Sequence, residues 1–329
     1  LARGDEQAAR SFRRLATLTV CAVYFLILVG GIVRASGAGM GCPDWPTCFG
    51  RWIPPSEESQ LPADYHKRYA IGYENTQFNP VKTWTEYLNR LTGATIGILI
   101  FLTAWRSHTY RSEDRLIFYL SWSAFFLVGF QGWLGSTVVA SNLKPVIITL
   151  HMLLALFIVA LLIYILARSQ KVFLSDLDFT KLPRAFNKVL VAAMVMTLLQ
   201  VIMGTQVREA VDFIANEHAY IDRQYWRDDF PFIFYIHRSF SSLILMTNGW
   251  LAWKIYRAFG GATFASKLGF LLIGLVMSGI LAGISMDRLG MPPVAQPIHL
   301  LVANLIFGTQ FFLAIYLKYS QSNSRYSRG

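Results

Sequence analysis

A chain of 329 residues with 54% hydrophobic and 15% charged side chains, and a mean hydropathy of +0.41, has too little polar surface for a soluble domain of its size. Its formal charge of +11 sits in short segments beside apolar runs and forms no single patch. That excludes nucleic-acid binding and points to the membrane surface.

Eight apolar runs approach the ~20 residues that cross a hydrocarbon core of ~30 Å. They cover 15–33, 88–105, 116–135, 146–167, 189–207, 236–255, 268–284 and 294–317, and are read as eight transmembrane helices of an all-α integral membrane protein. Arg34 and a long polar loop follow the first run, which is therefore read as a span and not as a cleaved leader. Arg10, Arg13 and Arg14 precede it, and Arg106, Arg111 and Arg115 follow the second run. Arg168, Lys171, Lys181, Arg184 and Lys188 join the fourth run to the fifth, and Lys254, Arg257 and Lys267 join the sixth to the seventh. By the positive-inside rule all of these lie in the cytoplasm, as do both termini. Segments 34–87 and 208–235 are then the outer loops.

The runs repeat. An offset of 148 superposes Asn89 on His237, Arg90 on Arg238, Gly135 on Gly283, Pro145 on Pro293 and His151 on His299. The first run matches the fifth at an offset of 174, LVGGIVR (28–34) against IMGTQVR (202–208), the difference being extra length in the first outer loop. The chain thus reads as two duplicated four-helix bundles. A cytoplasmic segment 1–14 is followed by an N-terminal half 15–167, a cytoplasmic linker 168–188, a C-terminal half 189–317 and a tail 318–329. Gly135 and Gly283 are expected to allow close helix packing, and Pro145 and Pro293 to start the fourth and eighth helices.

Of the six His, His66, His108 and His218 fall in loops. His237 opens the sixth run, while His151 and His299 lie about five residues into their helices, ~8 Å below the outer boundary at 1.5 Å per residue. A lone intramembrane His is satisfied by a hydrogen bond to a neighbouring helix. Two in repeat-equivalent places suit the axial positions of a haem, since neutral imidazole is a good iron ligand. Zinc wants further ligands, and no Cys, Asp or Glu lies at matching depth in the C-terminal half. His237 and His299 are therefore expected to fill both axial positions of one haem. The N-terminal copy pairs His151 with Asn89, a very weak ligand. Its iron is expected to keep one strong bond, with the other position open, watery or lightly capped by the amide. Arg90 and Arg238 follow the ligand positions, and either snorkel to water or pair with haem propionates.

Loop 34–87 contains RASGAGMGCPDWPTCFGRWIPP, with Cys42 and Cys48 on the oxidising face. A disulfide suits that face, as does a redox-active pair, and Cys21 is read as packed in the first helix. Glu86 lies three residues before Asn89 and four before Arg90, on one helical face if the second helix begins this early. It is either a surface acid at a helix N-terminus or a carboxylate beside the more open haem, able to take protons or stabilise positive charge. Its repeat partner is Phe234, so the acid belongs to one half only.

With the duplicated eight-helix pattern, the GIVRASGAGMGCPDWPTC run, Glu86 before the ligand position, and His151, His237 and His299, the sequence resembles the haem A synthase family. The resemblance spans almost the whole chain. It implies an oxidoreductase that converts the ring methyl of haem O to a formyl group, for terminal oxidase biogenesis. It implies a permanent haem b on His237 and His299, with Arg238 beside it. The substrate haem would lie at His151, Asn89 and Arg90, with Glu86 near the methyl group. It also implies residence in the bacterial cytoplasmic (inner) membrane with the haem sites toward the outer face. The partners implied are haem O synthase and oxidase assembly factors. The family commonly carries His where this chain has Asn89, and many members have a second Cys pair in the loop before the sixth helix, where residues 208–235 have none. The competing readings are a b-type cytochrome that transfers electrons, and a haem carrier in oxidase assembly.

Overall fold

The computed structural model describes residues 3–69, 77–174, 177–217 and 226–326. His218 and parts of segments 34–87, 168–188 and 208–235 lie outside the described residues. Eight long helices follow the apolar runs: α1 (Arg3–Ala35), α2 (Pro80–Arg106), α3 (Arg115–Ala140), α4 (Pro145–Ser169), α5 (Phe186–Glu217), α6 (Phe232–Phe259), α7 (Phe264–Arg288) and α8 (Ala295–Tyr326). Seven of them are long and apolar enough to cross a membrane, so the protein is an all-α, multi-pass membrane protein. The expected eighth span, α6, has the length but not the apolar content, because His237, Arg238, Ser239, Ser241, Ser242, Thr247 and Asn248 dilute it.

Every helix outruns the apolar stretch that announced it, because charged and capped turns extend it beyond the hydrocarbon. In α1 an Arg10–Glu6 pair at 3.1 Å lies one turn apart before the apolar run begins. The start of α2 is set by Asn79, whose side chain accepts the Lys82 N–H at 3.1 Å, with Pro80 in the first helical position. Both residue types suit those places. At the other end of an outer loop, Arg208 and Asp212 pair at 2.7 Å within α5. Pro145 starts α4 as expected. Pro293 does not start α8, which begins two residues later at Ala295. A proline can precede a helix as readily as enter its first turn.

The chain divides into two compact units, Leu1–Leu162 and Ile163–Gly329, with the boundary inside α4. In the first unit α2 packs between α1 and α3, and buried Thr19 and Thr103 share a hydrogen bond at 2.8 Å. In the second, α5, α6, α7 and α8 pack in sequence and α8 returns to α5, closing a bundle. Its core holds Ile244, Leu272, Val276, Val302 and Ile306. The approach of α6 to α7 needs Gly269, where a Cβ would lie 3.2 Å from the Ala252 Cα. Deeper in this bundle, Gln310 Nε2 donates to Asn248 Oδ1 at 2.9 Å, and Thr197 Oγ1 donates to Gln310 Oε1 at 3.1 Å. All three residues are buried, so one polar knot ties α5, α6 and α8 together.

Candidate functional site

In the second unit, α6 carries His237 and α8 carries His299, and their ring centres lie 6.3 Å apart. A metal–imidazole bond of about 2 Å, plus roughly 1 Å from ring nitrogen to ring centre, separates two rings on opposite sides of one ion by about 6 Å. That separation would let His237 and His299 hold one metal ion between them. No cluster of three or more His, Cys, Asp or Glu that could hold a metal occurs among the described residues. A two-imidazole site suits an ion whose remaining donors come with it, as in a porphyrin.

Each ring is seated against a glycine of the preceding helix. A Cβ on Gly204 of α5 would lie 3.3 Å from His237 Cε1, and one on Gly283 of α7 would lie 3.5 Å from His299 Cε1. These glycines are notches for imidazole, a more specific role than general close packing. His299 Nδ1 lies 2.9 Å from the Gly279 carbonyl. A carbonyl only accepts, so Nδ1 holds the proton and Nε2 keeps its lone pair free for another partner. His237 is held through its backbone, with Gln200 Nε2 donating to its carbonyl at 2.9 Å. Its Nδ1 is buried with no partner among the described residues. Arg238 is half exposed and faces Asp287 at 3.6 Å.

The first unit repeats this arrangement on α3 and α4. A Cβ on Gly135 would lie 3.3 Å from His151 Cε1, and Gln131 Nε2 donates to the His151 carbonyl at 2.9 Å. On α2 the equivalent position holds Asn89, whose Oδ1 is buried with no partner among the described residues. Its notch is Gly30 of α1, where a Cβ would meet nothing within 4 Å.

α2 begins early enough to put Glu86, Asn89 and Arg90 on one face, and the structure gives the two charged residues a shared task. Glu86 is 3% exposed. Its Oε2 accepts the Cys42 N–H at 2.7 Å, and its Oε1 pairs with Arg90. The Arg90 guanidinium also donates to the carbonyls of Cys42 at 2.9 Å and Thr47 at 3.0 Å, and to that of Asp44. All five of its N–H groups are thereby engaged, so Arg90 holds the loop that precedes α2. A propionate would have to displace one of these partners. Thr83 Oγ1 adds a bond to the Gly41 carbonyl at 2.9 Å. Here only glycine fits, because a Cβ on Gly41 would lie 2.3 Å from the Lys82 carbonyl oxygen.

The docked loop is closed by a Cys42–Cys48 disulfide. Asp44 folds the turn between the cysteines, accepting the backbone N–H groups of Phe49 and Gly50 and the Thr47 hydroxyl. Phe49, Tyr65, Tyr69 and Phe78 pack around it. Burial and the hydrogen bond to Glu58 push the Tyr65 phenol above its ordinary pKa. Both cysteines are fully buried, whereas Cys21 is exposed on α1 and so is not packed as expected. Thiol labelling of membranes without reductant should leave Cys42 and Cys48 unmarked, and both should label after reduction and unfolding. Free labelling of the loop cysteines would refute the bridge.

Sequence reasoning missed Gln131, Gln200, Gly279, Asp44 and Thr83. A signal for the first two was present: QGWLG (131–135) and QVIMG (200–204) each place a Gln four positions before the notch glycine. His66 and His108 lie outside the helical bundles, and His108 packs edge-on to Phe118 and Trp122.

A family model described as "Cytochrome oxidase assembly protein" (COX15-CtaA) matches residues 13–311. Curated relatives include the "Heme A synthase" of Shewanella oneidensis, 27% identical over 296 residues, covering 82% of this chain and 86% of the relative. That of Bradyrhizobium sp. is 24% identical over 294 residues, 79% of this chain and 78% of the relative. That of Rhodospirillum centenum is 30% identical over 195 residues, 56% of this chain and 51% of the relative. A match across nearly all the helices and the docked loop shows that this chain belongs to the COX15-CtaA family of cytochrome oxidase assembly proteins.

Proposed function

We propose that this chain is a haem A synthase, oxidising the ring methyl of haem O to a formyl group in two successive two-electron steps, through the alcohol and the hydrated aldehyde, with the electrons passed to an oxidant outside the chain. The observation that carries the reading is the 6.3 Å pair His237–His299, with a second imidazole site at His151, in a chain whose relatives bear that name. A haem b held by His237 and His299 would supply electron transfer, because two imidazoles leave its iron no open position. The substrate haem belongs on His151.

The chain's own groups have separate tasks. Gln131 and Gln200 brace the backbone at His151 and His237. The disulfide loop, held by Arg90 and Thr83, keeps water from Glu86. Glu86 places a carboxylate one helical turn from Asn89, where positive charge developing at the substrate carbon is stabilised or a proton accepted. The basic segments on one side of the spans support residence in the cytoplasmic membrane with the haem sites toward the outer face. An enzyme that supplies haem O and the oxidase assembly machinery that takes haem A are its natural partners.

The test is pigment extraction and chromatography after co-expression of the chain with a haem O source. Haem A in the extract is the expected result. Haem B and haem O alone would favour a b-type cytochrome or a carrier.

A further inference from the structure

We infer that Asn89 and the notch over Gly30 form a pocket for one small neutral ligand, with the size and hydrogen-bonding chemistry of water, on the face of the substrate haem opposite His151. This rests on reading the first unit as a haem site. The helix pairs present four equivalent notches. Three are filled by an imidazole Cε1, at 3.3 Å over Gly135, 3.3 Å over Gly204 and 3.5 Å over Gly283. The fourth belongs to Gly30, which the 174-residue offset places where Gly204 stands, as the 148-residue offset places Asn89 where His237 stands. A Cβ on Gly30 would find nothing within 4 Å.

The carboxamide is too short to replace the ring. An imidazole carries its outer nitrogen roughly 1 Å further from Cβ than Asn carries its amide, so the substitution opens space both in the notch and toward the haem. The space is not apolar. Asn89 Oδ1 is shut away from solvent and has no partner among the described residues. A buried acceptor in that state calls for a donor, and a water-sized molecule with an O–H fits both the gap and the need. The amide N–H₂ of the same side chain can donate to a ligand that only accepts. The other three positions offer no such place, because the ring that fills the notch also occupies the ligand position.

The probe is carbon monoxide, added to the reduced, full-length protein reconstituted with haem. Two imidazoles shield the second unit, so in the wild type about half of the bound haem should take up carbon monoxide. Asn89→His should abolish that uptake and turn the N-terminal haem low-spin, with total haem unchanged. Asn89→Leu should keep the uptake but shift the C–O stretching band, because the amide contact is gone. Wild-type haem that is held by His151 yet takes up no carbon monoxide overturns the pocket. So does uptake by Asn89→His equal to that of the wild type. An unshifted band in Asn89→Leu removes Asn89 as the ligand's partner. Failure of the underlying haem reading looks different: His151→Ala would then retain as much haem as the wild type.

Discussion

Purified His299→Ala protein is expected to lack the low-spin haem spectrum of the wild type and to retain little haem. Its imidazole carries the most ordered donor in the second unit, because the Gly279 carbonyl at 2.9 Å fixes the proton on Nδ1 and frees Nε2. Losing an outer partner of a metal ligand alone typically lowers metal affinity ~10–100-fold, and losing the ligand should cost at least that. His237→Ala removes the opposite ligand, 6.3 Å away between ring centres, and should also destroy the low-spin signature. The two variants should differ in recovery. Added imidazole should restore the low-spin spectrum better in His237→Ala, where the braced His299 still anchors the iron. Haem per protein and the reduced spectrum measure this, and an unchanged spectrum in both variants would sink the assignment.

Glu86→Gln should slow oxidation of haem O by about 10²–10⁴-fold, the range for a positioned acid or base, while substrate haem still binds. Gln keeps an oxygen for the Cys42 N–H but no charge for Arg90. The docked loop therefore loosens without being released, and thermal stability should fall only modestly. Steady-state conversion of haem O to haem A, read beside haem content, separates the two roles. Full activity would leave Glu86 as the residue that fastens the loop and nothing more.

How much of this could be read from the sequence depends on the range of the interaction. Apolar runs gave each helix, since burial in lipid needs only local composition, but they missed the ends. Arg10 with Glu6 in α1 and Arg208 with Asp212 in α5 are charged turns that hydropathy discards and hydrogen bonding retains. The His positions were visible through the repeat. Gly279 was not, because the repeat breaks there: Gln131 braces a backbone in one unit, and its counterpart Gly279 frees a carbonyl for a ring in the other. The outer loop was least legible. Arg90 reaches carbonyls 43–48 positions earlier in the chain, and no periodicity encodes such contacts. Arg90 reads in the sequence as snorkelling to water or pairing with propionates, and neither reading contains the loop carbonyls it holds.

The polar knot of Thr197, Asn248 and Gln310 bears on how the chain is made. A ribosome delivers helices in order, and Gln310 arrives on α8, after α5 and α6 are already in the bilayer. Until then Asn248 Oδ1 lacks the donor it has in the finished bundle, a deficit of about 1–3 kcal/mol for a buried acceptor. The corresponding residues of the earlier half are Val23, Ile100 and Leu162, which wait for nothing. One half can therefore settle as it emerges, while the other is held unfinished until α8 enters. That same span brings His299, so the His237–His299 pair and the fastening of the bundle around it are completed in one act of insertion.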